Sequence, residues 1–538
     1  MNNAAPRGVV AGGHPSTTRA GAEILRIGGN AADAAVGAVA AAMCAEACLT
    51  GLGGGGFALV RRPDGAAEIL DFFVSAPGLG RTPSDMAARA HLEPYEVPFH
   101  STTQVFHVGP SSCAVPGAAL GLATLHQRHG RLPLHRVLAP AVRLARSGAV
   151  IVPQQDYLHD ILEGILTREP AAREVFAPRG CLLRAGAVLR SPDLGDALET
   201  LGSVGASAFT TGSYAESMAR YIEARGGLVT LDDLAAYEVI IREPVRAEYR
   251  GHEILTNPLP SSGGTLIAFT LGLLDRLDTA SLDPVERAEA LTAALEATDA
   301  ARVATFDSGR REPGFADTFL RRSHIDEYAS PPVTRPPGPG STTHVSVIDA
   351  EGLAVSVTMS CGSGSGVVVE GTGIYMNNMM GEEDLNPGGF FALAPGERLT
   401  SMMAPTVAWG REGASCTLPS GRPGPATETL IALGSAGSAR LRSAIVQVLV
   451  NMLDLCQDAQ SAVDASRLHV DRTVVHLEDG MPPEAEAHLR RSGRSVQAWS
   501  VKDLYFGGVQ VAACVRRGRE TRFDGGGDPR RGGSASVV

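Results

Sequence analysis

Paired cysteines are the first thing this 538-residue sequence lacks. Its eight cysteines are scattered with no CxxC spacing, so neither a zinc site nor a disulfide framework is expected. Cys44 and Cys48 would share a helix face, but with no nearby histidine partners they read as packing. A basic stripe is also missing. The net charge is −11 at pH 7, which argues against nucleic acid as the main partner. The local clusters Arg310-Arg311 and Arg530-Arg531 read as solvated surface. Long apolar runs are absent too: the most apolar early stretch, Ala31 to Leu49, is Ala-rich and interrupted by Asp33 and Glu46, as in a buried helix and unlike a membrane span. Met1 to Arg7 lack the charged-then-apolar pattern of a secretory signal. A cytoplasmic protein with no membrane partner is the expectation. There is no internal repeat.

What is present is enough chain for two lobes or one large layered fold. With 44% hydrophobic and 20% charged residues it falls among soluble globular proteins. His14-Pro15-Ser16-Thr17 supplies a helix start, with Ser16 or Thr17 as N-cap, running to Arg26. Gly28-Gly29-Asn30 breaks it, and an Ala-rich helix follows to about Ala47. Phe57 to Arg62 and Glu68 to Phe73 form a hairpin about Pro63-Asp64-Gly65. Residues 115–300 read mainly as helices, interrupted by strand-like Val245 to Tyr249 and His252 to Leu255. Residues 309–341 are weakly patterned and end in a Pro/Gly-rich linker. Thr343 to Asp349 and Leu353 to Ser360 then alternate about Ala350-Glu351-Gly352, the clearest hairpin in the chain. Helices from Arg440 to Leu455 and Ala459 to Arg467, and a strand from Gly508 to Arg516, follow. Two αβ blocks flanking a linker suit a sandwich of sheets covered by helices.

Gly51, Gly53 and Gly56 formally match G-x-G-x-x-G, with Asp71 at about the right distance. The context is reversed, because a helix precedes the run and a strand follows it. A dinucleotide site needs strand before helix, so the glycines read as a close backbone approach. The threonine pair Thr342-Thr343 carries more chemistry. It stands between the Pro331 to Ser341 stretch and a strand, where a hydroxyl can attack the peptide bond before it. Cleavage would leave an N-terminal threonine whose α-amine, with a reference pKa of about 7.7–8.0, is a local base. Thr358 and Ser360 on the return arm lie opposite and could hydrogen-bond the nucleophile. Gly434-Ser435-Ala436-Gly437-Ser438 reads as the opening of a helix whose N–H groups could form an oxyanion hole. His344 sits two residues along the strand and reads as structural.

Several motifs together resemble the γ-glutamyltranspeptidase family. They are His14-Pro15 with Gly28 to Ala35, Gly51 to Phe57, Thr342-Thr343-His344, Asn377-Asn378, Ser401 to Thr406 and Asp528-Pro529-Arg530-Arg531. The resemblance covers nearly the whole chain. It implies an α+β fold, the four-layer αββα sandwich of N-terminal-nucleophile hydrolases, and a precursor cut at Ser341-Thr342. Residues 1–341, with the linker at about 309–341, would form a large subunit and 342–538 a small one, a further pairing into a higher oligomer being open. By the same resemblance Thr342 is the nucleophile, Ser360 its supporting hydroxyl, Gly437 and Ser438 the oxyanion donors, and Ser401 a substrate-contacting serine. No cofactor and no metal are implied.

The departures from the family pattern bear on the substrate. Where members carry an arginine that grips the α-carboxylate of the glutamyl group, this chain has Phe73, which removes a charge-assisted fork. Met402 replaces the second binding serine, Gly362 takes the place of an asparagine, and the acidic residue for the α-amino group appears only as Glu382 or Glu383. Arg440 or Arg442 is the alternative source of a carboxylate clamp. A self-processing hydrolase or acyltransferase acting on a small molecule with a non-standard acyl group is the leading expectation. The alternatives are C–C bond hydrolysis of the kind found in lincomycin and pyrrolobenzodiazepine biosynthesis, ordinary γ-glutamyl transfer on glutathione, and a processed but inactive scaffold.

Overall fold

Alternation along the strand Thr343–Asp349 sets the architecture. In the computed structural model, which describes residues 6–99, 102–328, 342–410, 427–437, 440–518 and 520–538, Val345 and Val347 join a helical core with Val36, Ala40 and Met43. Ile348 packs instead with Leu430, Val407 and Ala512 of a second sheet, and Ser346 donates to Gln510 O of that sheet. A strand with both faces buried needs a layer on each side.

The first sheet has seven strands in the order Ser534–Val537, Gly8–Gly12, Thr343–Asp349, Ala354–Ser360, Gly55–Arg61, Ala67–Phe72, Ile240–Arg242. Every pairing in it is antiparallel. The second has six, in the order Glu520–Gly527, Gly508–Arg517, Thr427–Ala436, Thr406–Gly410, His252–Thr256, Val245–Tyr249. Helices Pro15–Arg26, Ala31–Ala45 and Ala118–His129 cover the outer face of the first sheet, and Ser262–Leu274 and Leu441–Leu453 that of the second. The result is a four-layer αββα sandwich, as the sequence motifs imply.

Small side chains let the helical layer approach closely. All fifteen residues of Ala31–Ala45 are buried, and a Cβ added at Gly37 would lie 2.9 Å from Val137 O. Asn30 caps this helix and Asp33 returns the bond to the Asn30 N–H, a reciprocal capping box. The glycine run behaves as a close approach: a Cβ at Gly54 would collide with Ser360 O, and one at Gly56 with Thr358 O.

Several sequence expectations are corrected. The first helix is capped by His14, whose Nδ1 accepts from Ser16 N–H at 3.0 Å, and Ser16 and Thr17 lie inside it. Gly434 to Ala436 end a strand, and the helix after them starts at Leu441. Arg530 and Arg531 are buried, so they are not solvated surface. Cys456 is disulfide-bonded. Short helices at Phe315–Phe319 and Arg322–Glu327 occupy part of the weakly patterned stretch, whose Pro/Gly-rich end lies outside the described residues. Among the described residues no helix is long and apolar enough to cross a membrane.

Candidate active site

Strand register places the first hydroxyl pair. Thr343 pairs with Met359 and His344 with Thr358, so Thr342, one residue earlier, stands opposite Ser360. Both are buried. Ser360 Oγ accepts from Gly362 N–H at 2.7 Å, which fixes the hydroxyl oxygen at the start of the pocket. Thr343 points to the opposite face, where its Oγ1 donates to Glu46 Oε2 at 2.6 Å.

Thr342 and Ser360 open into a pocket whose remaining wall is mostly apolar: Phe73, Met379, Leu385, Met402, Met403 and Leu441, with Ser401 and Glu382. Phe73 is buried and stacked on Phe57 with ring centroids 5.3 Å apart. Its backbone is pinned by N–H donation to Asp71 Oδ1 at 3.0 Å and by the Tyr237 hydroxyl donating to its carbonyl at 2.5 Å. Asp71 is in turn held by Arg242 at 2.8 Å and Arg398 at 3.4 Å. Ser401 Oγ accepts from Met403 N–H at 3.0 Å.

Among the described residues of the wall, Glu382 is the one with a titratable carboxyl. Its Oε1 accepts from Ser363 N–H at 3.2 Å, but burial, helped by the neighbouring Asp384 charge, pushes its carboxyl up to about 8. The carboxyl is therefore protonated at neutral pH. Gly362, with φ +67°, makes room for it: a Cβ there would collide with Glu382 Oε1 and Asn378 Oδ1.

Six of the residues singled out from sequence thus meet in one pocket: Phe73, Thr342, Ser360, Glu382, Ser401 and Met402. Gly362 adjoins it. Glu383 is exposed and does not line it. Among the described residues no arginine lines the pocket. Arg442 pairs with Asp299 at 2.8 Å, and Arg440 lies on the Tyr505 ring at 4.6 Å, so neither replaces the carboxylate clamp in this arrangement. Gly437 follows the second-sheet strand with φ +119°; Ser438 and Ser341 lie outside the described residues. Thr358 bonds His344 Nδ1 at 2.8 Å and does not support Thr342. Met379, Leu385, Met403 and Leu441 were not anticipated. Met379 and Met403 adjoin recognisable motifs, but Leu385 and Leu441 carry no local signal.

His344 is structural. Ser346 Oγ donates to Gln510 O, so it accepts from His344 Nε2–H at 2.8 Å, and Nδ1 accepts from Thr358. Complete burial pushes the imidazole down to about 3, which keeps it neutral.

With a hydroxyl pair beside an apolar pocket on an αββα frame, relatives decide the family. The Gamma-glutamyltranspeptidase family profile matches residues 17–538. The chain belongs to this family. Among curated relatives it is similar to the Acylase ACY 1 proenzyme of Pseudomonas sp. (strain SE83), 34% identical, covering 91% of this chain and 87% of that protein. It is also similar to the Glutathione hydrolase proenzyme of Escherichia coli (strain K12), 29% identical, covering 91% and 86%. Among solved structures, cephalosporin acylase from Bacillus halodurans superposes with a TM-score of 0.83 at 26% identity, covering 99% of this chain and 96% of that one. This member of the γ-glutamyltranspeptidase family is therefore an enzyme of the hydrolase and transferase kind, with the N-terminal-nucleophile fold.

Proposed function

We propose that the protein is a self-cleaving amidohydrolase, an acylase, that removes a largely apolar acyl group from an amine. The observation that carries this is the pocket wall: Phe73 and Met402 stand beside Thr342 where a glutamyl group would need a guanidinium and a hydroxyl. Its similarity to an acylase proenzyme supports the same reading.

In this reading Thr342 Oγ first attacks the carbonyl of Ser341, the C–N bond breaks as the ester forms, and water hydrolyses the ester. Residues 1–341 and 342–538 become the two subunits of one fold. The freed α-amine of Thr342 then takes the proton from Oγ as it attacks a substrate carbonyl. Ser360 supports the hydroxyl, and the N–H groups of Gly437 and Ser438 stabilise the oxyanion. The C–N bond breaks, the amine leaves with the proton, and water attacks the acyl ester to regenerate Thr342. Ser401 and the protonated Glu382 orient the acyl chain, which Phe73, Met379 and Met402 surround.

A series of N-acyl anilides tests the reading. Butyryl to octanoyl anilides are expected to be cleaved with kcat/KM above that of γ-glutamyl anilide. Preference for the γ-glutamyl compound would overturn it.

A further inference from the structure

Buried guanidinium groups without a carboxylate are costly, and two of them meet at one end of the sandwich. Arg531 is 6% exposed, and its Nε and Nη1 have no hydrogen-bond partner among the described residues. Arg440 is 3% exposed with its Nε likewise unpartnered. Neighbouring arginines are neutralised: Arg467 pairs with Asp528 at 2.6 Å, Arg530 with Glu478, and Arg442 with Asp299. The backbone reserves space for Arg531. A Cβ at Gly508 would collide with its Cδ, and one at Gly437 would lie 3.8 Å from its Nη2.

This is the nucleophile's end of the molecule. At the far end of the same hairpin, Ala350 O accepts from Arg516, whose strand neighbour is Glu428. His344 packs against Gly434. Continuing that register brings Thr342 level with Ala436, next to Gly437, where an added Cβ would lie 3.8 Å from Arg531 Nη2. On the other face Thr343 is bonded to Glu46, on which the Arg531 charge acts.

We propose that Arg531, assisted by Arg440, is a positioning residue that keeps the α-amine of mature Thr342 unprotonated. Two cations at that end disfavour an ammonium, so the neutral base is populated at neutral pH. The inference rests on Thr342 being the mature N-terminus. Asp471, Asp384 and Asp503 act on Arg440 and partly offset it, so Arg531 is the less compensated of the two cations. Glu46, beside the C-terminus of Ala31–Ala45, and Glu382, in the pocket, both have carboxyls raised by burial, and Asp528 is committed to Arg467 and Arg530. For a cation about 10 Å from an amine, an effective dielectric of about 30–40 gives a shift of about 0.6–0.8 pH unit.

The test is the pH profile of kcat/KM for self-cleaved wild type, R531M, R440M and R531K on one anilide. The acid limb is expected to rise by about 0.5–1 unit in R531M and R440M, a loss of about 3–10-fold at pH 6 relative to each variant's own plateau. R531K, which keeps the charge, retains the wild-type limb. An unmoved limb in R531M overturns the inference; if R531M fails to cleave itself, an unmoved limb in R440M does so. A wild-type small subunit that does not begin at Thr342 would instead overturn the reading beneath it.

Discussion

Thr343 Oγ1 donates to Glu46 Oε2 at 2.6 Å, which bolts the residue after the candidate nucleophile to the turn that ends the Ala31–Ala45 helix. Glu46 also accepts from Thr17 at 3.0 Å, so one buried carboxyl ties the first two helices to the nucleophile strand. Thr343→Val keeps the shape and removes the donor. It is expected to lower stability by about 1–3 kcal/mol and to slow self-cleavage while leaving the ranking of acyl substrates unchanged. Denaturant melts and a cleavage time course check this.

The His344 ring occupies the space over Gly434, so Gly434→Ala forces ring against strand and is expected to cost about 1–3 kcal/mol. The same ring makes stability depend on acid. Its folded value lies near 3, below the unfolded 6.5, so the unfolded chain takes up a proton first. Stability is complete above about pH 6.5 and falls as pH drops towards 3, by on the order of 5 kcal/mol. Melting temperatures measured between pH 4 and 7 test the slope.

Glu382 works with the opposite sign. Its folded carboxyl holds its proton to about pH 8, whereas the unfolded one loses it near 4.5. Stability therefore declines as pH rises through that window and is flat above it. Glu382→Gln is expected to abolish the decline. In wild type, KM for an uncharged acyl anilide should rise as pH passes about 8, and in E382Q it should not.

Phe73→Ala removes a stacked, fully buried ring. The expected cost is about 3 kcal/mol of stability, and the lost wall should raise KM for hexanoyl anilide by about tenfold with little change for acetyl anilide. A uniform loss across the acyl series would argue against Phe73 contacting the acyl chain.

Much of this site was legible because it lies within short motifs. The period-two alternation from Thr343 to Ser360 marks a hairpin that is buried on both faces, and Phe73, Glu382, Ser401 and Met402 stand at motif positions. Other features depended on contacts that sequence does not display. Glu46 and Thr343 are 297 residues apart, and nothing near Glu46 announces its partner. A Gly-Ser run resembles a helix start, yet at Gly434 the glycine answers to the His344 ring across the sandwich. Arg530-Arg531 looks like surface charge in isolation. Only the fold shows that Glu478 and Asp528 neutralise Arg530 and that Arg531 has no carboxylate at bonding distance among the described residues.

The central claim is that Thr342 becomes the N-terminus of the catalytic fragment. N-terminal sequencing and intact mass of purified active protein test it most directly. The expected result is two fragments of 341 and 197 residues, the smaller beginning Thr342-Thr343-His344, with Thr342→Ala remaining a single inactive chain. An intact 538-residue chain that turns over substrate, or a T342A variant with normal activity, would contradict it.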